Sequence, residues 1–166
     1  MIAVSIRPEA RDDIAIIHRI TTDAFRDMPF SDGDEPDLVD KLRADGDLTL
    51  SLVAELDGKV VGHIALSAVT IGDGARDWYG LGPVSVTPEL QKQGIGDQLV
   101  RRGIADMREI GARGIILLGS PDYYGRFGFE HDPALKYPGP PPEYFQRLVL
   151  EGSAPSGVVN YAPAFG

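Results

Sequence analysis

The apolar positions of this chain change period along its length, and each change marks an element. Residues 2–8, IAVSIRP, alternate and stop at Pro8, which predicts a first strand. Ile14, Ile17, Ile20 (or Thr21) and Ala24 then follow helical spacing behind the acids Asp12 and Asp13. Residues 28–36, MPFSDGDEP, are rich in breakers and predict a loop. Residues 34–47 predict a second helix, with Leu38 and Leu42 four apart and Gly46 as its stop. Residues 48–74 predict two strands joined by Asp57-Gly58, a dipeptide suited to the positive φ angles of a two-residue hairpin. A fourth strand is expected within residues 77–88. A helix over 94–112 follows, with Ile95, Leu99, Val100, Ile104 and Met107 forming its stripe. The short continuous apolar run RGIILLGS, 113–120, suits a fifth strand buried on both faces. Residues 121–132 predict a short helix or turn and the start of a strand. YFQRLVLEG and GVVNYAPAF, after the rigid YPGPPP, are further strands. Such an order predicts an α/β (α+β) layer structure, a mixed sheet flanked by helices.

The fourth strand is irregular. Val84 and Val86 share a face, but Leu81 is out of step with them, and the break coincides with Gly82-Pro83. Glycine within a strand marks a bulge, and proline cannot donate to a ladder. A bulge here would splay the strand from a parallel neighbour, the 113–120 run. The slot so opened exposes unpaired N–H and C=O groups to a ligand that carries amides; a harmless irregularity is the other reading.

Just beyond lies QKQGIGDQLV, 91–100, where a strand turns into a helix. A helix start offers unpaired N–H groups and a partial positive charge, and it binds phosphate without a cationic side chain. Gly94 and Gly96 remove the Cβ atoms that would keep a phosphate off the backbone, and Gln91, Lys92 and Gln93 add polar reach. The pattern predicts a diphosphate site, unless the glycines serve only the turn. A dinucleotide fingerprint fails, because Leu99 stands where its third glycine belongs, and no Walker loop is present.

Composition narrows the partners. A chain of 166 residues suits one domain, 1–166. It has no cysteine, which excludes disulfides, thiolate nucleophiles and cysteine zinc sites. No secretory leader and no apolar run of roughly 20 residues is visible, so a cytoplasmic protein without a membrane partner is expected. A net charge of −9 disfavours nucleic acid and is compatible with a cationic substrate, or merely with solubility.

Gln91-Lys92-Gln93-Gly94-Ile95-Gly96 resembles the (Arg/Gln)-x-x-Gly-x-(Gly/Ala) motif of the GNAT acetyltransferase superfamily. Tyr124, four residues before Gly128-Phe129, resembles that family's Tyr-x-x-x-Gly-Phe signature, and residues 6–13 resemble its IRPxxxxD opening. GLGPVSV, LGSPDYYGRFGF and GVVNYAPAF resemble its YhbS-type branch. The resemblance implies the acyl-CoA N-acyltransferase fold, a mostly antiparallel sheet splayed between its fourth and fifth strands. It implies acetyl-CoA as the acetyl donor and a small-molecule or peptide primary amine as acceptor, attacking directly in a ternary complex. Gln93, Gly94, Ile95 and Gly96, with Gln91 and Lys92 beside them, would cradle the diphosphate. The main chain of Val84, Ser85 and Val86 would pair with the pantetheine amides, and Arg126 would reach a phosphate. Tyr124 would be the general acid to the departing thiolate, a task within reach of a phenol whose ordinary pKa is about 10. Gly119-Ser120-Pro121-Asp122 stands where many members carry an Asn, with Ser120 as a substitute contact. A non-catalytic acyl-CoA-binding or sensing module, and a transferase of longer acyl groups, are the rival implications. A homodimer is left open.

The amine must lose a proton. Glu35 is the first candidate base, because helices one and two wall the acceptor side in this family; Glu55 and Asp122 come after it. The acidic run Asp32, Asp34, Glu35 and Asp37 could attract a cation, although such runs are commonly just solvated. His18, His63 and His131 lack metal-ligand spacing and are expected to be structural, with His63 on a central strand that could face the acceptor slot.

Overall fold

A computed structural model of the chain describes residues 1–29 and 31–166; Phe30, within the predicted 28–36 loop, lies outside them. The strands are β1 (Ser5–Pro8), β2 (Leu48–Leu56), β3 (Lys59–Ala68), β4 (Thr70–Ile71), β5 (Trp78–Val86), β6 (Gly114–Leu118), β7 (Glu130–His131), β8 (Leu135–Lys136), β9 (Phe145–Val149) and β10 (Gly157–Asn160). The helices are α1 (Ile14–Phe25), α2 (Glu35–Asp45), α3 (Ile95–Glu109) and α4 (Pro121–Tyr124). Seven strands form one sheet in the order β1-β2-β3-β5-β6-β9-β7, antiparallel except at β5–β6. A second sheet, β4-β10-β8, has one antiparallel and one parallel pair.

Local chemistry explains the elements. Gly46 closes α2 in the left-handed region at φ 77°, and its N–H bonds the carbonyl of Arg43. Asp57 and Gly58 turn β2 into β3 at φ 52° and 78°. Arg7 grips Asp13 through two bonds of 2.7 and 3.1 Å and Glu55 through one of 2.6 Å, while Asp13 accepts the N–H of Ala10 at 2.6 Å. The Arg7 guanidinium holds the buried Asp13 carboxyl below its ordinary range. These contacts give the IRPxxxxD opening its physical content: they fix β1 to the start of α1.

The two helical layers lie on opposite faces of the large sheet. β3 and β5 alternate, so Gly62, Ile64, Leu66, Val84 and Val86 point one way and His63 and Ser85 the other. α3 covers the first face: Leu99 and Ile95 press on Gly62, and Gly103 lets the helix approach Leu66 and Ile64. Ile64, Leu66, Leu99, Val100 and Met107 are fully buried there. Truncating one such Leu to Ala costs about 2–5 kcal/mol, so this layer holds the strand that carries the slot. α1 covers the other face, where Ser85 Oγ donates to Thr21 Oγ1 at 3.3 Å.

Two elements depart from the sequence pattern. The first strand begins at Ser5, not Ile2, because the N–H of Ile2 bonds the carbonyl of Gln93 and the N–H of Val4 bonds the Gln98 side chain. The apolar run after Ala68 does not continue β3; Thr70–Ile71 crosses to β10 as part of the second sheet.

Candidate active site

The parallel pairing of β5 with β6 runs only from Trp78–Gly114 to Gly80–Ile116. Beyond it, among the described residues, Leu81–Val86 has β3 as its one strand neighbour, and Leu117–Leu118 has β9. The separation falls at Gly82-Pro83, a cis peptide, with Gly82 at φ 132°. Here β5 spends one more residue than β3 between the pairs Ile64–Val84 and Leu66–Leu81. This is the predicted bulge, and it opens a slot whose β5 wall is main chain. Ser85 turns its side chain away toward Thr21, so only its backbone is offered. The Val86 carbonyl already accepts Gln91 Nε2 at 3.1 Å, which ties the loop back to the strand.

At the mouth of the slot the chain makes a turn over Pro88–Leu90 and swings into α3. Lys92 (φ 63°) and Gly94 (φ 86°) adopt left-handed backbone, and for Gly94 a Cβ would also strike Met1. The first intrahelical bond runs from Gln98 N to Gly94 O, so the N–H groups of Ile95, Gly96 and Asp97 precede the ladder. They border a cleft of about 180 Å³ that Gln91, Lys92, Gly94 and Gly96 also line. Gln98 braces this turn, donating to the carbonyls of Ile2 and Gly94 at 2.6 and 3.0 Å.

α4 brings two tyrosines to the same end. The Ser120 carbonyl accepts the N–H groups of Tyr123 and Tyr124 at 3.2 and 2.9 Å, and the Ser120 side chain is exposed. The Tyr124 ring lies on Gly119, where a Cβ would come within 2.4 Å, and meets Phe129 edge to face at 6.1 Å. Burial raises its phenol above the ordinary range, and its hydroxyl has no hydrogen bond among the described residues. Tyr123 differs: its hydroxyl donates to Asp97 Oδ1 at 2.6 Å, and burial and that carboxylate push its pKa up. Arg126 stacks on the Tyr123 ring at 4.5 Å and stands 3.4 Å from Asp97 Oδ2. Spacing to Gly128 favours Tyr124 over its neighbour Tyr123, and the sequence does not disclose the bond of Tyr123 to Asp97, because no spacing rule joins residues 26 apart.

The candidate bases scatter. Glu35 opens α2, where its carboxylate accepts Ser31 Oγ at 2.6 Å. Beside it, Thr22, Phe25, Asp32 and Pro36 border a cleft of about 300 Å³ between α1 and α2. Glu55 pairs with Arg7, and Asp122 is exposed. His63 does not open on the slot. It is fully buried, its Nε2 lies 2.7 Å from Ser51 Oγ, and Ser51 in turn donates to Glu9, which Arg43 holds at 2.8 Å. Burial pushes His63 down to about 4. His18 meets Asp37 and Asp40 across α1 and α2 on an exposed surface, and Asp40 is also paired with Arg43. No helix among the described residues is long and apolar enough to cross a membrane.

This architecture has known counterparts. Residues 14–129 match the model of the acetyltransferase (GNAT) family. The uncharacterized N-acetyltransferase YhbS of Escherichia coli K12 is 39% identical over 143 residues, covering 83% of this chain and 85% of that protein. YjhQ of the same strain, also an uncharacterized N-acetyltransferase, is 38% identical over 138 residues, 80% of this chain and 73% of its own length. Among solved structures, a GNAT family acetyltransferase from Brucella melitensis in complex with acetyl-CoA superimposes with a TM-score of 0.88 at 48% identity, covering 99% of both chains. YhbS from Escherichia coli in complex with CoA does so with a TM-score of 0.89 at 33% identity, covering 99% of this chain and 93% of the other. The split sheet, the glycine-turned helix start and these matches agree: the chain belongs to the GNAT family of acetyltransferases.

Proposed function

We propose that this protein transfers an acetyl group from acetyl-CoA to a primary amine, with both substrates bound together. The observation that carries the reading is the gap between β5 and β6, with the start of α3 at its mouth and the Tyr124 ring packed on Gly119, directly after β6. The residues fit such a donor. The cleft at α3 offers N–H groups ahead of the helix ladder, and no Cβ at Gly94 or Gly96 crowds it. The open side of Leu81–Val86 suits strand-like pairing with amides. The relatives with 48% and 33% identity were crystallised with acetyl-CoA and CoA, which supports the same donor here.

Bound there, the donor supplies an acetyl group activated as a thioester. The backbone of Gln93–Gly96 holds the diphosphate, with Gln91 and Lys92 beside it and Ser120 at the edge. The main chain of Val84, Ser85 and Val86 aligns the pantetheine arm, and a backbone N–H near Val84 receives the charge that grows on the acetyl oxygen. Tyr124, its pKa raised by burial, keeps its proton on Oη until it passes to the departing sulfur. Glu35 takes the proton of the incoming amine. A thiol-release assay with acetyl-CoA over a broad amine panel tests the reading. Saturable, amine-dependent release is expected. Tight CoA binding with no release for any amine would assign a binding module instead.

A further inference from the structure

Asp97 is an unexpected neighbour for a diphosphate. It is the third residue of α3, directly after Gly96, and it lines the cleft that the glycine turn forms. A bare carboxylate there repels phosphate and cancels part of the attraction of the helix start. The charge is covered from two sides. Tyr123 Oη donates to Oδ1 at 2.6 Å, and Arg126 Nη1 lies 3.4 Å from Oδ2. Gly96 lies against this contact: a Cβ there would stand 3.4 Å from Tyr123 Oη, an ordinary van der Waals approach. An ionised carboxylate only accepts, so the tyrosine is the donor and stays protonated. Arg126 is the weaker cover: its side chain is 48% exposed and its contact is long.

We infer that Tyr123 is a positioning residue of the donor site: its hydroxyl masks the Asp97 carboxylate from the donor's diphosphate and ties α4 to the start of α3, which holds Tyr124 at the slot. The inference rests on the donor reading above. It assigns the adjacent tyrosines separate tasks, Tyr123 covering Asp97 at the cradle and Tyr124 packed on Gly119 beyond β6. An acid in the first turn also steadies a helix, so charge masking must be separated from stability.

The test is calorimetric titration with CoA of the wild type, Tyr123→Phe, Asp97→Asn and the double variant, with melting temperatures alongside. Tyr123→Phe should weaken CoA binding by about 10-fold or more at low ionic strength, and added salt should shrink the deficit by screening the exposed carboxylate. Asp97→Asn should bind at least as tightly as wild type, because its amide oxygen still accepts from Tyr123. The double variant should return to within about 3-fold of wild type, which a merely structural tyrosine would not allow. Acetyl-pantetheine, which lacks the diphosphate, should show little change in KM with Tyr123→Phe. Unchanged CoA affinity in Tyr123→Phe, a double variant no better than the single one, or an equal loss with acetyl-pantetheine overturns the inference. If Tyr123→Phe fails to fold, Asp97→Asn alone decides, and weaker binding by it is the adverse result. A wild type that does not bind CoA overturns the donor reading and this inference together.

Discussion

The two faces of the central sheet are packed by different chemistry. On the α3 face the contacts are apolar and close, Leu99 on Gly62 and Gly103 on Leu66, and the recognition surface proposed beside them is backbone: a bulged strand edge and a helix start. On the α1 face polar groups are buried beside the apolar cluster of Ile17, Val39 and Val53. Arg43, Glu9, Ser51 and His63 form a chain, and Ser85 bonds Thr21. His63 Nδ1 and Ser67 Oγ are buried there without a protein partner among the described residues. The difference teaches where tolerance lies. The proposed donor site, built of main chain, depends on a few residues whose smallness is essential, while the other face depends on hydrogen bonds between buried side chains.

The comparison can be broken at the α3 face first. Gly94→Glu should lower CoA affinity by about three orders of magnitude, because it places a carboxylate in the cradle and a Cβ at a φ of 86°. Titration checks this, with the melting temperature as control for backbone strain. Tyr124→Phe should reduce kcat by about two orders of magnitude and leave the CoA dissociation constant within about 3-fold, the usual range for a lost general acid. An unchanged kcat removes Tyr124 from the mechanism.

The α1 face should instead reveal itself through pH. His63 is neutral in the fold, with a pKa of about 4 against 6.5 when unfolded, Glu9 facing it through Ser51 and Arg43 beyond. The unfolded chain therefore binds the extra proton between those values, so stability holds above pH 6.5 and falls as pH drops toward 4. The loss is at most about 3 kcal/mol from this group. Denaturant unfolding across that range measures it, and His63→Gln should flatten the slope; an equally steep slope contradicts the assignment. Smallest of all, Glu35→Gln should lower kcat/KM for the amine by about 10-fold, and CoA binding should not change. Equal losses on both substrates would take Glu35 out of the acceptor side.

What sequence alone could disclose follows the same division. The splay at Gly82-Pro83, the left-handed Gly94, the stop at Gly46 and the Asp57-Gly58 turn are local backbone demands, and residue type announces them. The burial of Ile95, Leu99, Val100 and Met107 follows helical period. The rest depends on contacts between distant residues. Strands of two residues, such as Thr70–Ile71 and Leu135–Lys136, carry no period, so of the second sheet only β10, within GVVNYAPAF, leaves a pattern. The brace of Ile2 on Gln93, the bond of Tyr123 to Asp97 and the chain from Arg43 to His63 exist only once the fold brings them together.

The central claim is that the strand edge and the helix start together hold the donor. The most direct measurement is a backbone amide NMR titration of the wild-type protein with CoA. The largest shifts should fall on Val84–Val86 and on Gly94–Asp97, and both groups should saturate at the same concentration. Saturable binding that leaves these amides unmoved, or moves only one group, would contradict it.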